Sequence, residues 1–207
     1  MKTELLTPSQ YQKQLWKNGK GSTAEIAISP VGAIFPADPF LWRLSSAELT
    51  EACAFSQFQN YSRYLALFKG QSMGLKFGQE IQERLLKAGE VMDFSGSDSA
   101  SCTLPEGPVT DLGLIIDPKK VRADFKIFQF RNKPRSIRTE GSDFLIFTIQ
   151  GSIIATVYPG EERLTLKTGE TLRVSTLDHG VPKEHQILLE PSPGSNRSVA
   201  LIDLKLF

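Results

Sequence analysis

The sequence predicts an all-β protein of two similar antiparallel barrels in tandem, packed as one compact unit with few short helices. Three observations carry that expectation. Glycine and proline number 16 and 12 in 207 residues, so a chain breaker falls about every seven residues, a spacing that suits strands and turns better than full helices. Polar and apolar residues alternate over short windows, the period of a half-buried strand. One arrangement of turns also occurs twice, offset by 80 or 81 residues.

From the N-terminus, Thr7 followed by Pro8 is a helix-start signal and predicts a short helix over residues 8–14. Asn18 and Gly19 form a turn that leads into a strand over 22–29, with Ala24, Ile26 and Ile28 on one face and Thr23, Glu25 and Ala27 on the other. A strand over 42–46 places Arg43 and Ser45 opposite Trp42 and Leu44, and a second short helix is expected over 46–54. Arg63 alternates with Leu65 and Leu67 in a strand over 63–68, followed by strands over 73–77 and 109–116. The second half reads as strands over 123–130, 144–150, 153–158, 162–167, 171–174, 186–190 and 199–207.

The repeat fixes the architecture. Phe68-Lys69-Gly70 opens alternating residues, a turn at Gly78, a second short strand and then Lys87-Ala88-Gly89-Glu90; Ile149-Gln150-Gly151 opens the same series, through Pro159-Gly160, to Lys167-Thr168-Gly169-Glu170. A glycine before a strand, a hairpin turn halfway and a Gly-Glu turn some 19 residues on is the rhythm of a cupin-like jelly-roll barrel, with glycine supplying positive φ at the corners. The expected division is 1–118, an N-terminal segment plus first barrel, and 119–207, the second barrel, with strands exchanged between them. Metal-dependent cupins carry an H-x-H pair and a glutamate soon after the first glycine, and neither copy has a histidine there. No metal ligand set and no cofactor is therefore expected.

Composition narrows the function. The 24 Lys and Arg against 23 Asp and Glu leave a net charge of +1, with no basic stripe of the kind that displaces counterions from nucleic acid. No apolar run reaches membrane-spanning length and the start has no secretory profile, so a cytoplasmic protein without membrane or nucleic-acid partners is expected. Cys53 and Cys102 read as reduced core thiols without a redox role. His179 and His185, six apart, fit neither the helical nor the strand spacing of a metal pair.

Candidate site residues cluster in the first half. The segment from Trp16 to Ile26 gathers an indole, glycines and polar donors ahead of a strand, but Lys20 is followed by Gly21, so the order of a phosphate loop is absent. Arg43 and Arg63 each sit among apolar strand neighbours, an arrangement that places a guanidinium either at a barrel rim or inside a cavity facing an anion. Taken singly, each reads as a rim residue. Asp111 reads equally as a turn or strand-end cap and as a partner behind one arginine.

Together, W-K-N-G-x-G-x-T-x-E-I at 16–26, F-x-W-R-L-S at 40–45, F-S-x-F at 55–58, R-x-L-x-L-x-x-G at 63–70 and G-P-V-T-D-L at 107–112 resemble the HutD/Ves family of bicupin-like proteins. The resemblance is dense over about residues 4–116 and rests beyond that on the barrel rhythm. Lys20 replaces the family's middle glycine, Gly113 stands where the family commonly has Asn, and the stretch before Phe55 lacks the usual Gly-Pro. The family's G-D element is also blurred into the serine-rich loop 95–101. The resemblance implies a bicupin without a recognised catalytic metal. Some members are associated with histidine utilisation and a small carboxylate such as formylglutamate or formiminoglutamate, in a regulatory role; others are linked to stress.

The leading reading is thus a binder of a small anionic metabolite with no catalytic residues. Arg43 and Arg63 meet the anion, Asn18 supplies an amide, Thr23 and Glu25 accept a ligand N–H or orient an arginine, and Trp16 and Phe58 close an apolar wall. Asp111 supports one arginine. The alternative is a metal-independent hydrolase or isomerase in which Glu25 or Asp111 is the acid or base. A third reading is a homodimer formed through an edge strand such as 199–207.

Overall fold

The computed structural model describes residues 1–16, 19–130, 133–175, 184–192 and 197–207. In chain order the described elements are β1 (Lys2–Leu6), a 3-10 turn (Pro8–Gln10), β2 (Gln12–Leu15), β3 (Gly21–Ser29), β4 (Trp42–Leu49), β5 (Cys53–Ala54) and β6 (Ser62–Lys69). These are followed by β7 (Ser72–Phe77), β8 (Arg84–Lys87), β9 (Val91–Ser95), β10 (Ala100–Thr103), β11 (Val109–Ile116), β12 (Val121–Phe130) and β13 (Arg135–Thr139). The chain closes with β14 (Asp143–Gln150), β15 (Ser152–Tyr158), β16 (Glu162–Lys167), β17 (Thr171–Ser175), β18 (His185–Pro191) and β19 (Arg197–Leu206). The protein is all-β and cupin-like, and no described helix is long and apolar enough to cross a membrane.

Contacts divide the chain into two compact units, Tyr11–Val121 and a second made of Met1–Gln10 with Arg122–Phe207. The first holds a six-stranded sheet, β2-β3-β4-β11-β6-β9, and a four-stranded sheet, β5-β10-β7-β8. The second holds β1-β17-β14-β19-β12 and β13-β18-β15-β16. The first strand of the chain thus serves the second unit, with Leu5 opposite Leu172 in the β1–β17 register.

The internal repeat is real at the level of topology. The series β4-β11-β6-β9 in one unit matches β12-β19-β14-β17 in the other, and β5-β10-β7-β8 matches β13-β18-β15-β16. Its four corner glycines, Gly70, Gly89, Gly151 and Gly169, all have φ between +82° and +94°, where a side chain is strained. The shared Lys-x-Gly-Glu turn has a local cause. Glu90 accepts the Lys87 N–H at 3.1 Å, and Glu170 accepts the Lys167 N–H at 2.8 Å. Even the bulge recurs, skipping Phe68 between β6 and β11 and Ile149 between β14 and β19.

Each unit has its own apolar interior. In the first, Leu49, Met73, Leu75 and Leu86 are at most 1% exposed; each such side chain contributes about 1.5–3 kcal/mol by leaving water. In the second, Ile146, Ile153, Leu166 and Val199 are fully buried.

Several local expectations are corrected. Residues 8–14 do not form a helix: the Thr7 carbonyl accepts the Gln10 N–H in a single turn, and Gln12–Leu15 then pairs with β3. Residues 46–54 do not form a helix: 46–49 continue β4, because Ala47 and Leu49 alternate inward with Glu48 outward and Ala47 pairs on both sides, opposite Thr23 and Asp111, while 53–54 form β5. The alternation of 22–29 is broken by a bulge between Glu25 and Ala27. Glu25 and Ile28, on opposite faces in an unbroken strand, therefore share the inner one. Finally, β19 is not an edge strand, since it lies between β14 and β12.

Candidate functional site

Three strands of the Tyr11–Val121 unit build the site in register. Arg43 on β4 lies opposite Ile115 on β11, which lies opposite Arg63 on β6. The next row on the same face is Ser45, Gly113 and Leu65, and the row after it Ala47, Asp111 and Leu67. Two arginines and an aspartate are carried to the inner face by the period of two along their strands, while Trp42 and Leu44, on the opposite face, are fully buried. The inner face borders a cavity of about 660 Å³.

Arg63 dominates it. The residue is 9% exposed, its Nη1 donates to the Ser56 carbonyl at 3.1 Å, and its Nε has no hydrogen-bond partner. Its guanidinium lies over the rings of Phe55, Phe94 and Phe58 at 5.0, 5.1 and 5.6 Å. Burial lowers its pKa to about 10, the nearby Asp111 charge opposing and the Arg43 charge adding to that shift. Among the described residues no carboxylate lies within ion-pair distance of it.

Arg43 is equally buried but already satisfied. Its Nε donates to Glu25 at 2.6 Å, its Nη1 donates to Ser45 at 3.3 Å, and its guanidinium stacks on Phe35 at 3.9 Å. Asp111 is buried in mid-strand, not at a strand end, and accepts the Ala47 N–H at 3.3 Å. Desolvation pushes its pKa up to about 7, against the pull of Arg63 and of that N–H. Trp16 donates its indole N–H to Thr23 at 2.8 Å, fixing both at one side of the cavity.

Of the residues singled out from sequence, Trp16, Thr23, Arg43, Phe58, Arg63 and Asp111 come together around the cavity. The rim reading of the two arginines is overturned by their burial, at 7% and 9% exposure. Glu25 stands behind Arg43 rather than on the cavity wall, and Asn18 lies outside the described residues. Phe35, Ser45, Phe55, Ser56 and Gly113 were missed. Phe55 and Ser56 sit inside the F-S-x-F motif, whereas nothing local to Phe35 marks a ring that will lie on an arginine from the next strand.

The repeat supplies an internal control. Leu67 opposes Asp111 as Thr148 opposes Val199, and four residues earlier in each strand stand Arg63 and Phe144. The second unit thus fills with Phe144 and Val199 the positions that the first gives to an arginine and an aspartate. His185 of β18, 5% exposed, has both ring nitrogens unpartnered, and His179 lies outside the described residues. Among the described residues no three His, Cys, Asp or Glu side chains gather as a metal site.

The HutD family profile matches residues 8–189. An uncharacterised 21.2 kDa protein in the hutC 3' region of Pseudomonas putida is 31% identical over 72% of this chain and 75% of its own. Protein Ves of Citrobacter koseri is 30% identical over 67% of this chain and 68% of its own. The structure of HutD from Pseudomonas fluorescens SBW25 in a formate condition superposes with a TM-score of 0.80 at 26% identity, covering all of both chains. A cupin 2 conserved barrel domain protein from Leptotrichia buccalis shares the fold at 12% identity, with a TM-score of 0.56 over 94% of this chain and 96% of its own.

Proposed function

The chain belongs to the HutD family, and from that premise we propose that its Tyr11–Val121 unit binds a small carboxylate metabolite in the Arg63 cavity and acts as a sensor or regulator rather than through a catalytic metal. The observation that carries the proposal is Arg63 itself: a desolvated guanidinium with an unpartnered Nε beside a hollow of about 660 Å³. Burying an unpaired cation costs several kcal/mol, and a carboxylate accepting from the guanidinium offsets that cost with short, charge-assisted hydrogen bonds. The volume lies within the range of small-molecule sites. Formylglutamate and formiminoglutamate, the acids implied by the family resemblance, are of the right class, and the formate condition of the P. fluorescens structure names the simplest member of that class.

Asp111 supports a second reading. A carboxyl held near 7 by burial, facing the same cavity, is poised as a general acid or base. Glu25 is less suited to that task, because Arg43 engages it at 2.6 Å. Thermal-shift screening against formylglutamate, formiminoglutamate, glutamate and formate, with product analysis of every hit, separates the two readings. Saturable stabilisation without product is the expected result. Product formation lost in Asp111→Asn makes the protein an enzyme, and no response to any of the acids ends the carboxylate proposal.

A further inference from the structure

We propose that Cys53 and Cys102 form a reversible thiol–disulfide pair that reacts with small-molecule disulfides and, when oxidised, pins one wall of the cavity. The sequence places them 49 residues apart and gives no C-x-x-C spacing, so neither reads as a redox residue until the chain is folded. In the structure they are direct partners in the β5–β10 register, and their Sγ atoms lie 3.7 Å apart. Both are free. Directly opposed residues on antiparallel strands have Cα atoms about 4.5–5.5 Å apart, inside the range that a disulfide spans, so side-chain rotation suffices to bring the sulfurs to bonding distance.

Access and ionisation are divided between the two. Cys53 is half-buried and Cys102 is buried. The hydrogen bond between them stabilises a thiolate, holding Cys102 down to about 7 and pushing Cys53 up. The pair therefore releases its first proton near neutrality, and the remaining proton is shared across one hydrogen bond. Lys20 adds favourable charge at Cys53.

The reaction balances with a disulfide RSSR as oxidant. The thiolate resting on Cys102 takes the Cys53 proton across their shared hydrogen bond, and the more accessible Cys53 sulfur attacks one sulfur of RSSR, forming a mixed disulfide and expelling RS⁻; Cys102 then passes that proton to the expelled RS⁻ and attacks the Cys53 sulfur, forming Cys53–Cys102 and expelling the second RS⁻, which is protonated by solvent. The two cysteines are oxidised and RSSR is reduced to two thiols.

The consequence for the cavity follows from chain connectivity. The β5 strand is two residues long and runs directly into Phe55, Ser56 and Phe58, which give Arg63 a ring at 5.0 Å, a carbonyl at 3.1 Å and a ring at 5.6 Å. Among the described residues a two-residue ladder and the Phe55 N–H to Ala100 carbonyl hydrogen bond join this segment to β10, and the Phe58 N–H and Gln57 Nε2 donate to the Gly96 and Ser97 carbonyls just ahead of that strand. A covalent link at Cys53 fixes the segment that completes the Arg63 environment.

The test is incubation of the full chain with oxidised glutathione, read by thiol titration, intact mass and amide hydrogen exchange. The expected result is loss of both thiols, a chain about 2 Da lighter without a glutathione adduct, slower exchange over residues 53–58, and full reversal by dithiothreitol. Cys102→Ser should instead accumulate a stable glutathione adduct on Cys53, because the resolving thiol is gone. Wild-type protein that keeps both thiols, that stops at a glutathione adduct, or that links chain to chain overturns the pairing. A disulfide that forms without slowing exchange in 53–58 overturns the pinning of the wall. None of these readouts requires a carboxylate ligand, so they stand or fall separately from the proposed function.

Discussion

Replacing Arg63 by methionine separates binding from stability, because the two respond in opposite senses to the same buried charge. Methionine keeps most of the volume and much of the flexibility of the side chain while removing the guanidinium. The native environment opposes that charge: burial lowers the guanidinium pKa to about 10, well below its free value, which corresponds to roughly 3 kcal/mol at about 1.4 kcal/mol per tenfold. Because the folded-state value lies below the unfolded one, this penalty is present at every pH below about 10, and the substitution relieves it. Against the gain stand three cation–aromatic contacts and the hydrogen bond to the Ser56 carbonyl, each contributing about 1 kcal/mol. The terms nearly cancel, so Arg63→Met should leave the ligand-free protein within about 1 kcal/mol of wild type, an apparent Tm shift below about 4 °C. Carboxylate affinity should meanwhile fall by about 2–5 kcal/mol, roughly 30-fold to several thousand-fold, because a desolvated anion loses its partner. Calorimetric titration with formylglutamate and urea unfolding of the same preparations measure the two quantities. A variant that loses more than about 2 kcal/mol of stability while binding unchanged would refute the reasoning and make Arg63 a structural residue.

Asp111 makes stability depend on pH in a stated direction. Its folded value of about 7 lies above the unfolded value near 3.9, so between them the native state holds a proton that the unfolded chain lacks. Stability should therefore be greatest near pH 4 as far as this group is concerned, fall by up to about 4 kcal/mol towards pH 7 and level off above it; urea midpoints of wild type minus Asp111→Asn across pH 4–8 should show that slope. Carboxylate binding should also weaken as pH rises through 7 in the wild type and be flatter in Asp111→Asn, measured by titration at several pH values. Glu25→Gln strips the buried Arg43 of its charge partner and should cost about 2–3 kcal/mol in unfolding experiments, while the freed guanidinium tightens carboxylate binding. Gly96→Ala brings a Cβ within 2.5 Å of the Phe58 carbonyl oxygen and 2.7 Å of the Tyr61 carbonyl oxygen. The turn that carries Phe58 to the cavity must then shift, so a loss of about 1–3 kcal/mol in stability should accompany weaker binding in the same calorimetric assay.

How much of this could be read in advance depended on the range of the interaction concerned. The Lys-x-Gly-Glu turns were legible because their cause is local: a positive φ that glycine tolerates and a glutamate that accepts an N–H three residues earlier. Strand faces were legible wherever the alternation ran unbroken, as in Arg43 and Ser45 against Trp42 and Leu44. The two helices expected over 8–14 and 46–54 failed because local start signals and propensity were outweighed by ladders to β3 and β11. The bulge after Glu25 was invisible for the same reason: nothing in the strand itself says which residue its neighbour will leave unpaired.

The site shows the same division. Sequence alone determined that this chain is a doubled β protein and, through the family resemblance, nominated Arg43, Arg63, Asp111, Trp16 and Phe58 for one site, because period-two alternation, turn glycines and a run of family motifs are written in consecutive residues. Only the tertiary structure decided which face encloses space, that Glu25 satisfies Arg43 while the Nε of Arg63 is left without a partner, and that Cys53 meets Cys102. Those outcomes depend on registers between strands far apart in the chain, and burial, which shifts the proton affinities of Arg63 and Asp111, exists only once such strands have closed around them.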